Sequence, residues 1–228
     1  MNPTSVPASR SRQNYLKALL QLGAGQAVSV SVLARHLRVS APSVTNMLAT
    51  LAGERLVELG ARGAARLTSD GERTALQVLR RHRILETFLV SVLQLDWSEV
   101  HEDAEELEHH VSARVLDALD RFMRHPTRDP HGHPIPDRRG RIAHRTLSPL
   151  AALPAGARAR VSEVRGGDDR SRLVRWKRTG LVPGAPVRML EANAEDGVYT
   201  LEVAGRRWVS GRDGLDGIMI ERRSRERH

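Results

Sequence analysis

Hydrophobic positions along this chain recur in three different rhythms, and the changes between them divide it. From about residue 10 to 75, short apolar stripes at helical spacing alternate with turn signals. Leu16, Leu19, Leu20 and Leu22 predict one helix, and Val32, Leu33 and Leu37 a second. Ser40-Ala41-Pro42-Ser43 then supplies a cap and a first-turn proline for a third helix over 42–54, with Val44, Met47, Leu48 and Leu51 facing inward. Two helices joined by so short a turn predict a helix-turn-helix, whose second helix enters a major groove. Beyond it, residues 56–59 and 64–67 flank Gly60-Ala61-Arg62-Gly63 and predict the two strands and loop of a wing.

The second rhythm, over 76–125, is a long apolar periodicity with almost no Gly or Pro. A helix over 69–95 gathers Ala75, Val78, Leu79, Leu85, Leu89 and Leu93 on one stripe, and Asp96-Trp97-Ser98-Glu99 reads as a capping box that opens the next helix. After His125 the pattern breaks. Pro126, Pro130, Gly132, Pro134 and Pro136 exclude a helix, and the segment through residue 145 reads as a linker. From Leu147 onward, Gly and Pro punctuate short β-rich runs at 186–190, 198–203 and 207–209, which predict a small barrel.

Charge sharpens the first region. The chain carries a formal net charge of +9, which favours polyanionic partners, nucleic acid first and membrane surface second. Residues 1–75 hold nine Lys/Arg against four Asp/Glu. On the third helix the outward residues Ser43, Thr45, Asn46 and Thr50 are hydroxyls and an amide, able to reach base edges and phosphates. Ser40 and Pro42 at its start and Arg62 and Arg66 in the wing complete the candidate DNA contacts, with a protein–protein role for the winged helix as the alternative. The chain has no cysteine, hence no disulfide framework and no thiolate metal site. No apolar run is long enough to span a bilayer and the first twelve residues lack a signal peptide's apolar stretch, so the expected address is cytoplasmic, with no membrane partner.

Chemistry concentrates in residues 99–110, EVHEDAEELEHH, where nine of twelve residues are acids or histidines. At about 100° per residue, with His101 at zero, Glu105 falls near 40°, Glu108 near −20° and His109 near 80°, one stripe beside the packed face of Val100, Ala104, Leu107 and Val111. Glu106 and His110 point away. The preceding helix adds His82 and Glu86, an i,i+4 pair inside its apolar stripe. Ionisable groups on an inward face cost several kcal/mol unless paired or bound to metal. The two stripes therefore predict a site for one or two divalent cations, against the plainer reading of His–Glu pairs across a bundle. A zincin motif would need histidine where Glu105 stands, and no nucleophile elbow, P-loop or dinucleotide fingerprint occurs, so no enzyme is expected.

Taken in order, Ser40 to Glu54, RRHRILETFL, EVHEDAEELEHHVS and HGHPIP resemble the diphtheria toxin repressor family of iron- and manganese-dependent transcriptional regulators. The resemblance covers nearly the whole chain. It implies a mainly α fold with a little β: a winged helix-turn-helix DNA-binding domain over 1–75, a helical metal-binding and dimerisation domain over 76–140, and an SH3-like (FeoA-type) barrel over 147–228. It assigns His82, Glu86 and His101 to one site, and Glu105, Glu108 and His109 to another that links to the first helix. Glu105 stands where iron-type members use a cysteine, which favours Mn(II), with Fe(II) next. The first helix departs from the pattern: Asn14 replaces a Met or Asp ligand and Lys17 a Glu, so Asn14 is a weak candidate ligand. Glu163 and Asp168 are candidates for a side chain lent by the barrel.

The expected protein is thus a homodimeric metal-dependent regulator of metal-ion homeostasis acting on a double-stranded DNA operator, the metal serving as corepressor. The rivals are a metal storage or delivery protein without sequence-specific DNA binding, a metallohydrolase, and a DNA-binding protein whose stripes are only structural. Leu116, Leu119 and Phe122 are candidates for dimer contacts or for intrachain core.

Overall fold

The computed structural model describes residues 10–143, 145–166 and 169–221. Two compact units result, one from residues 10–82 with 136–141 and the other from 83–135 with 142–221, the division falling within a single continuous helix.

In the first unit, α1 (Arg10–Gly23), α2 (Val30–Leu37) and α3 (Ala41–Gly53) precede a hairpin of β1 (Val57–Leu59) and β2 (Ala65–Leu67). Local chemistry sets the helix-turn-helix. Ser29 caps α2, and Arg38 closes it in the left-handed region (φ 54°). Ser40 caps α3 by accepting from the Ser43 amide at 3.3 Å, with Pro42 in the first turn, where its missing N–H costs nothing. Leu16, Leu19, Leu33, Val44, Leu48, Leu51, Val57 and Ala65 form the core. Leu22 and Val32, counted on the inward stripes, are instead partly exposed at 38% and 40%. The wing is antiparallel, Val57 opposite Leu67 and Leu59 opposite Ala65, with Arg62 at positive φ in its loop.

α4 (Ser69–Ser91) begins in the first unit and carries the chain into the second. It stops four residues short of the expected end, leaving Leu93 half exposed. Asp96 does not cap the next helix directly. Its Oδ1 accepts from the Ser98 amide and hydroxyl, fixing the turn 97–99, and α5 starts only at Val100 (Val100–Leu107). α6 (Ala113–Phe122) follows, capped by Ser112. Ile84, Leu85, Leu89, Val100, Ala104, Leu116 and Ile135 pack together, so Leu116 is intrachain core while Phe122 remains 68% exposed.

The segment 126–135 is a packed element, not a linker. Asp129 N donates to His133 O, Ile135 N to Thr127 O, and Val164 N to His131 O. Gly132, at φ +88°, is held so close to the next domain's first long strand that a Cβ there would lie 2.1 Å from Ser162 O.

The barrel has strand order β3-β8-β4-β5-β6-β7, all antiparallel, from β3 (Leu147–Pro149), β4 (Arg158–Val164), β5 (Pro186–Asn193), β6 (Val198–Val203), β7 (Arg206–Gly211) and β8 (Ile218–Glu221). A helix the sequence reading did not anticipate, α7 (Arg170–Thr179), contributes Leu173 and Trp176 to the core, and a one-turn α8 (Arg212–Leu215) precedes β8. Trp97 is buried in this same core, with Val90 packed against it.

Two measurements check this packing. Gly132→Ala places a side chain at positive φ and against a backbone carbonyl, and is expected to destabilise the second unit by on the order of 3 kcal/mol, read as a lowered urea midpoint; an unchanged midpoint would contradict the close approach. Asp96 Oδ2 accepts from Lys177 Nζ at 2.6 Å, and Lys177 together with Ser98 holds the Asp96 carboxyl well below the usual carboxylate range. A depressed pKa contributes stability above the unfolded value of about 3.9 that disappears as pH falls toward the folded value. The melting-temperature gap between wild type and Asp96→Asn should therefore hold steady from pH 7 to about 5 and shrink below about 4.

Candidate metal centre and nucleic-acid interface

The apolar stripe of α4 places two ionisable groups where water does not reach, His82 at 4% and Glu86 at 3% exposure. His101, on the first turn of α5, turns its Nδ1 toward Glu86 Oε1 at 3.2 Å and its Nε2 toward Glu105 Oε1 at 3.8 Å. His82, Glu86 and His101 offer ligand atoms that all lie within 4.8 Å of one another. Two imidazoles and a buried carboxylate form a donor set suited to a divalent transition ion.

Glu105, Glu108 and His109 are arranged differently from the helical-wheel expectation. α5 ends at Leu107; Glu108, its C-cap, keeps helical dihedrals and donates its amide to Ala104 O, so it stays on the stripe, while His109 lies in the turn that follows. Glu108 is fully buried, with His109 Nε2 3.5 Å from its Oε1. Among the described residues, these three do not draw their ligand atoms within 4.8 Å of one another. Leu107, expected on the packed face, is 38% exposed, whereas Glu106 and His110 are exposed as expected. On α1, Asn14 Oδ1 is buried with no hydrogen-bond partner among the described residues, which leaves an acceptor oxygen suited to a cation or donor. Lys17 is buried as well.

A second convergence was missed in the sequence. Asp129, His131 and His133 also bring ligand atoms within 4.8 Å of one another. Asp129 Oδ1 accepts from the backbone amides of His131 and His133, both at 2.9 Å, while Oδ2 faces His133 Nδ1 at 3.2 Å and Arg83 Nε at 3.4 Å. The D-x-H-x-H spacing was visible, but the surrounding prolines made the segment look like a tether.

His131 joins the two clusters. Its ring stacks on Trp97, with centroids 5.2 Å apart, and its Nε2 lies 3.0 Å from the Trp97 carbonyl. A carbonyl only accepts, so Nε2 carries the proton and donates. That leaves Nδ1 facing Glu86 Oε2 at 3.7 Å. A bare nitrogen lone pair against a carboxylate is repulsive, so a proton or a metal ion must intervene. Burial opposes charging His131, yet Glu86, Asp129 and the Trp97 carbonyl together raise its pKa above the ordinary value. Burial likewise lowers the pKa of Arg83, against the opposing pull of Asp129, Glu86 and Glu163.

Glu163 on β4 is buried and accepts from Arg165 Nε at 2.8 Å; it belongs to neither convergence. Asp168 lies outside the described residues.

On α3, Ser40, Pro42, Ser43, Thr45, Asn46 and Thr50 are all exposed, as are Arg62 and Arg66 in the wing. Several are already engaged. Thr45 Oγ1 donates to Ala41 O, Thr50 Oγ1 to Asn46 O, the Ser40 and Ser43 hydroxyls bond each other at 2.8 Å, and Arg66 pairs with Glu58. Among the described residues, the Asn46 amide makes no hydrogen bond, so it is the group on this face with both donor and acceptor to offer.

Comparison with known proteins adds to this geometry. Residues 8–65 match the sequence family described as iron dependent repressor, N-terminal DNA binding domain, residues 68–137 that described as iron dependent repressor, metal binding and dimerisation domain, and residues 148–222 the FeoA domain. The chain is 31% identical over 195 residues to the iron-dependent repressor IdeR of Mycobacterium tuberculosis, spanning 78% of this chain and 81% of that protein. It is 42% identical over 98 residues to the transcriptional regulator MntR of Escherichia coli O6:H1, 43% of this chain and 62% of that protein. A solved manganese-dependent transcriptional repressor in complex with manganese is similar at a TM-score of 0.84 and 33% identity, covering 92% of this chain and 99% of that one. With buried imidazole–carboxylate clusters following a winged helix along the sequence, and with relatives of this kind along most of its length, the chain belongs to the diphtheria toxin repressor family of iron- and manganese-dependent transcriptional regulators.

Proposed function

We propose that this chain is a metal-dependent transcriptional repressor of metal-ion homeostasis genes, with Mn(II) or Fe(II) as corepressor. The observation that carries the reading is the convergence of His82, Glu86 and His101 within 4.8 Å, with the first two buried. The candidate ligands are imidazole and oxygen donors with no thiolate among them, which favours Mn(II) over softer ions. His82, Glu86 and His101 would hold one cation, and Asp129, His131 and His133 offer a second set of donors. Glu105, Glu108 and His109 remain candidate ligands in the second unit, and the buried Asn14 oxygen a candidate ligand in the first.

A divalent ion held there would supply positive charge to buried carboxylates that otherwise depend on His101, His131 and Arg83. The chain's own part is to fix these groups in one arrangement: α4 sets His82 and Glu86, α5 sets His101, and the Trp97 carbonyl sets the His131 ring. Operator affinity then rises only as far as the DNA-competent arrangement holds the ion more tightly than the free one.

Residues 1–75 serve as the DNA-binding segment, 76–140 as the metal-binding and dimerisation segment, and 147–228 as the barrel. Val115 and Phe122, exposed at 48% and 68% on α6, suit a contact between two copies. Among the described residues no helix is long and apolar enough to cross a membrane. A double-stranded operator as partner implies action in the cytoplasm.

The test is operator binding on genomic fragments with chelator, then with Mn(II), Fe(II) and Zn(II) in turn. Metal is expected to tighten binding by about 5–150-fold; equal retention in chelator would reject the switch, and metal uptake without any operator preference would point to storage instead. Glu86→Gln and His101→Ala should abolish the metal response while leaving weak binding in chelator unchanged. Asn46→Ala should cost about 1–3 kcal/mol of discrimination between operator and non-operator DNA, more than Thr45→Ala, because the Thr45 hydroxyl proton is already committed to Ala41 O.

A further inference from the structure

The chain's positive charge gathers at both ends of the sequence. Residues 147–228 hold sixteen Lys/Arg against eleven Asp/Glu, the same excess as residues 1–75, while residues 76–146 hold eleven against twelve. Residues 222–228 supply four of those Lys/Arg and one of the acids, so up to Glu221 the balance is twelve against ten, and what matters there is where the arginines sit.

The strand register shows where some of them lie. Arg158 on β4 stands directly opposite Arg188 on β5, and Arg160 follows two residues along β4. Val161, Val187 and Met189 are buried in the barrel core, so strand alternation puts Arg158, Arg160 and Arg188 together on the outer face. Like charges directly opposite each other disfavour the pairing. The neighbouring acids do little to relieve it. Glu202 lies opposite Arg188 on β6, but among the described residues neither Arg158, Arg188 nor Glu202 takes part in an ion pair. Glu191 is occupied by Arg207 and by the Thr200 hydroxyl, both at 3.0 Å. Arg160 spends one N–H on Gly184 O, and Arg188 Nε is buried with no acceptor among the described residues.

We propose that this face is a second contact surface for the phosphate backbone of duplex DNA. Three guanidinium groups on two adjacent strands, without a carboxylate engaged among them, match phosphate oxygens through planar, fork-like donors. The face carries no aromatic side chain: Trp176, Tyr199 and Trp208 belong to or pack against the core. It therefore has neither the stacking platform of a single-strand binder nor the apolar anchor of a membrane surface. Backbone contacts of this kind position without reading sequence. The choice of DNA as the polyanion rests on the proposed function; the basic face itself does not.

The experiment uses the full-length protein with Mn(II), measuring fluorescence anisotropy across a salt series. The probes are a short duplex confined to the operator, the same operator with extended flanks, and a labelled non-operator duplex added to protein saturated with the short operator. Arg158→Gln/Arg160→Gln alters only exposed side chains, and Arg158→Gln/Arg160→Gln/Arg188→Gln removes the whole cluster. Each lost phosphate contact should flatten the slope of log K against log salt by about 0.9. The expected result is a slope reduced by about 2–3 per chain for the flanked duplex (contact in cis) or for the second duplex (contact in trans), with affinity for the short operator unchanged. Wild-type slopes in both variants on both long probes would overturn the proposal, as would an equal loss on the short operator. Metal-dependent binding of the short operator by wild type reports separately on the proposed function, so the two readings fail independently.

Discussion

Glu86 is the constraint around which the second unit is organised. A carboxylate buried to 3% exposure cannot stay ionised without compensating charge, and its two oxygens look in different directions. Oε1 faces His101 from α5, and Oε2 faces His131 from the segment between α6 and the barrel. One side chain on α4 thereby couples two stretches of chain far apart in sequence. The apolar stripe that carries it buries Leu85 and Leu89 beside it, so the carboxylate cannot swing out to water without unpacking the core.

The same logic explains why segment 126–135 is so tightly held. Asp129 accepts two backbone amides, which aims the two histidines that follow. Arg128 reaches across to Ser162 O and Oγ, and Val164 N donates to His131 O, so β4 of the barrel forms the wall behind the loop. Arg83, donating to Pro134 O and facing Asp129, seals the other side. Precision at a metal centre depends on such outer contacts as much as on the ligands.

Periodicity made the winged helix legible, because its helices bury apolar stripes, Leu22 and Val32 excepted, and Ser40 announces the start of α3. His82 and Glu86 were legible for the opposite reason: they violate an apolar stripe, and a violation needs a cause. The ends of α4 and α5 were not, since nothing in a helical wheel tells that the chain will turn after Ser91 or Leu107. Asp129, His131 and His133 were hidden by their prolines. Local sequence showed only that a helix was impossible there, while the order of that segment comes from tertiary contacts with α4 and β4. α7 was missed because its face is dominated by arginines, and only Leu173 and Trp176 mark its buried side.

Trp97 serves two parts of the second unit at once. Its indole belongs to the barrel's core, yet its backbone carbonyl holds the His131 ring, and the ring covers its face. A shortened chain lacking the barrel would strip the indole bare and loosen the imidazole at once. Any variant of this architecture that dispenses with its C-terminal third must therefore also redesign the stretch around residue 131, so truncation and ligand chemistry should change together.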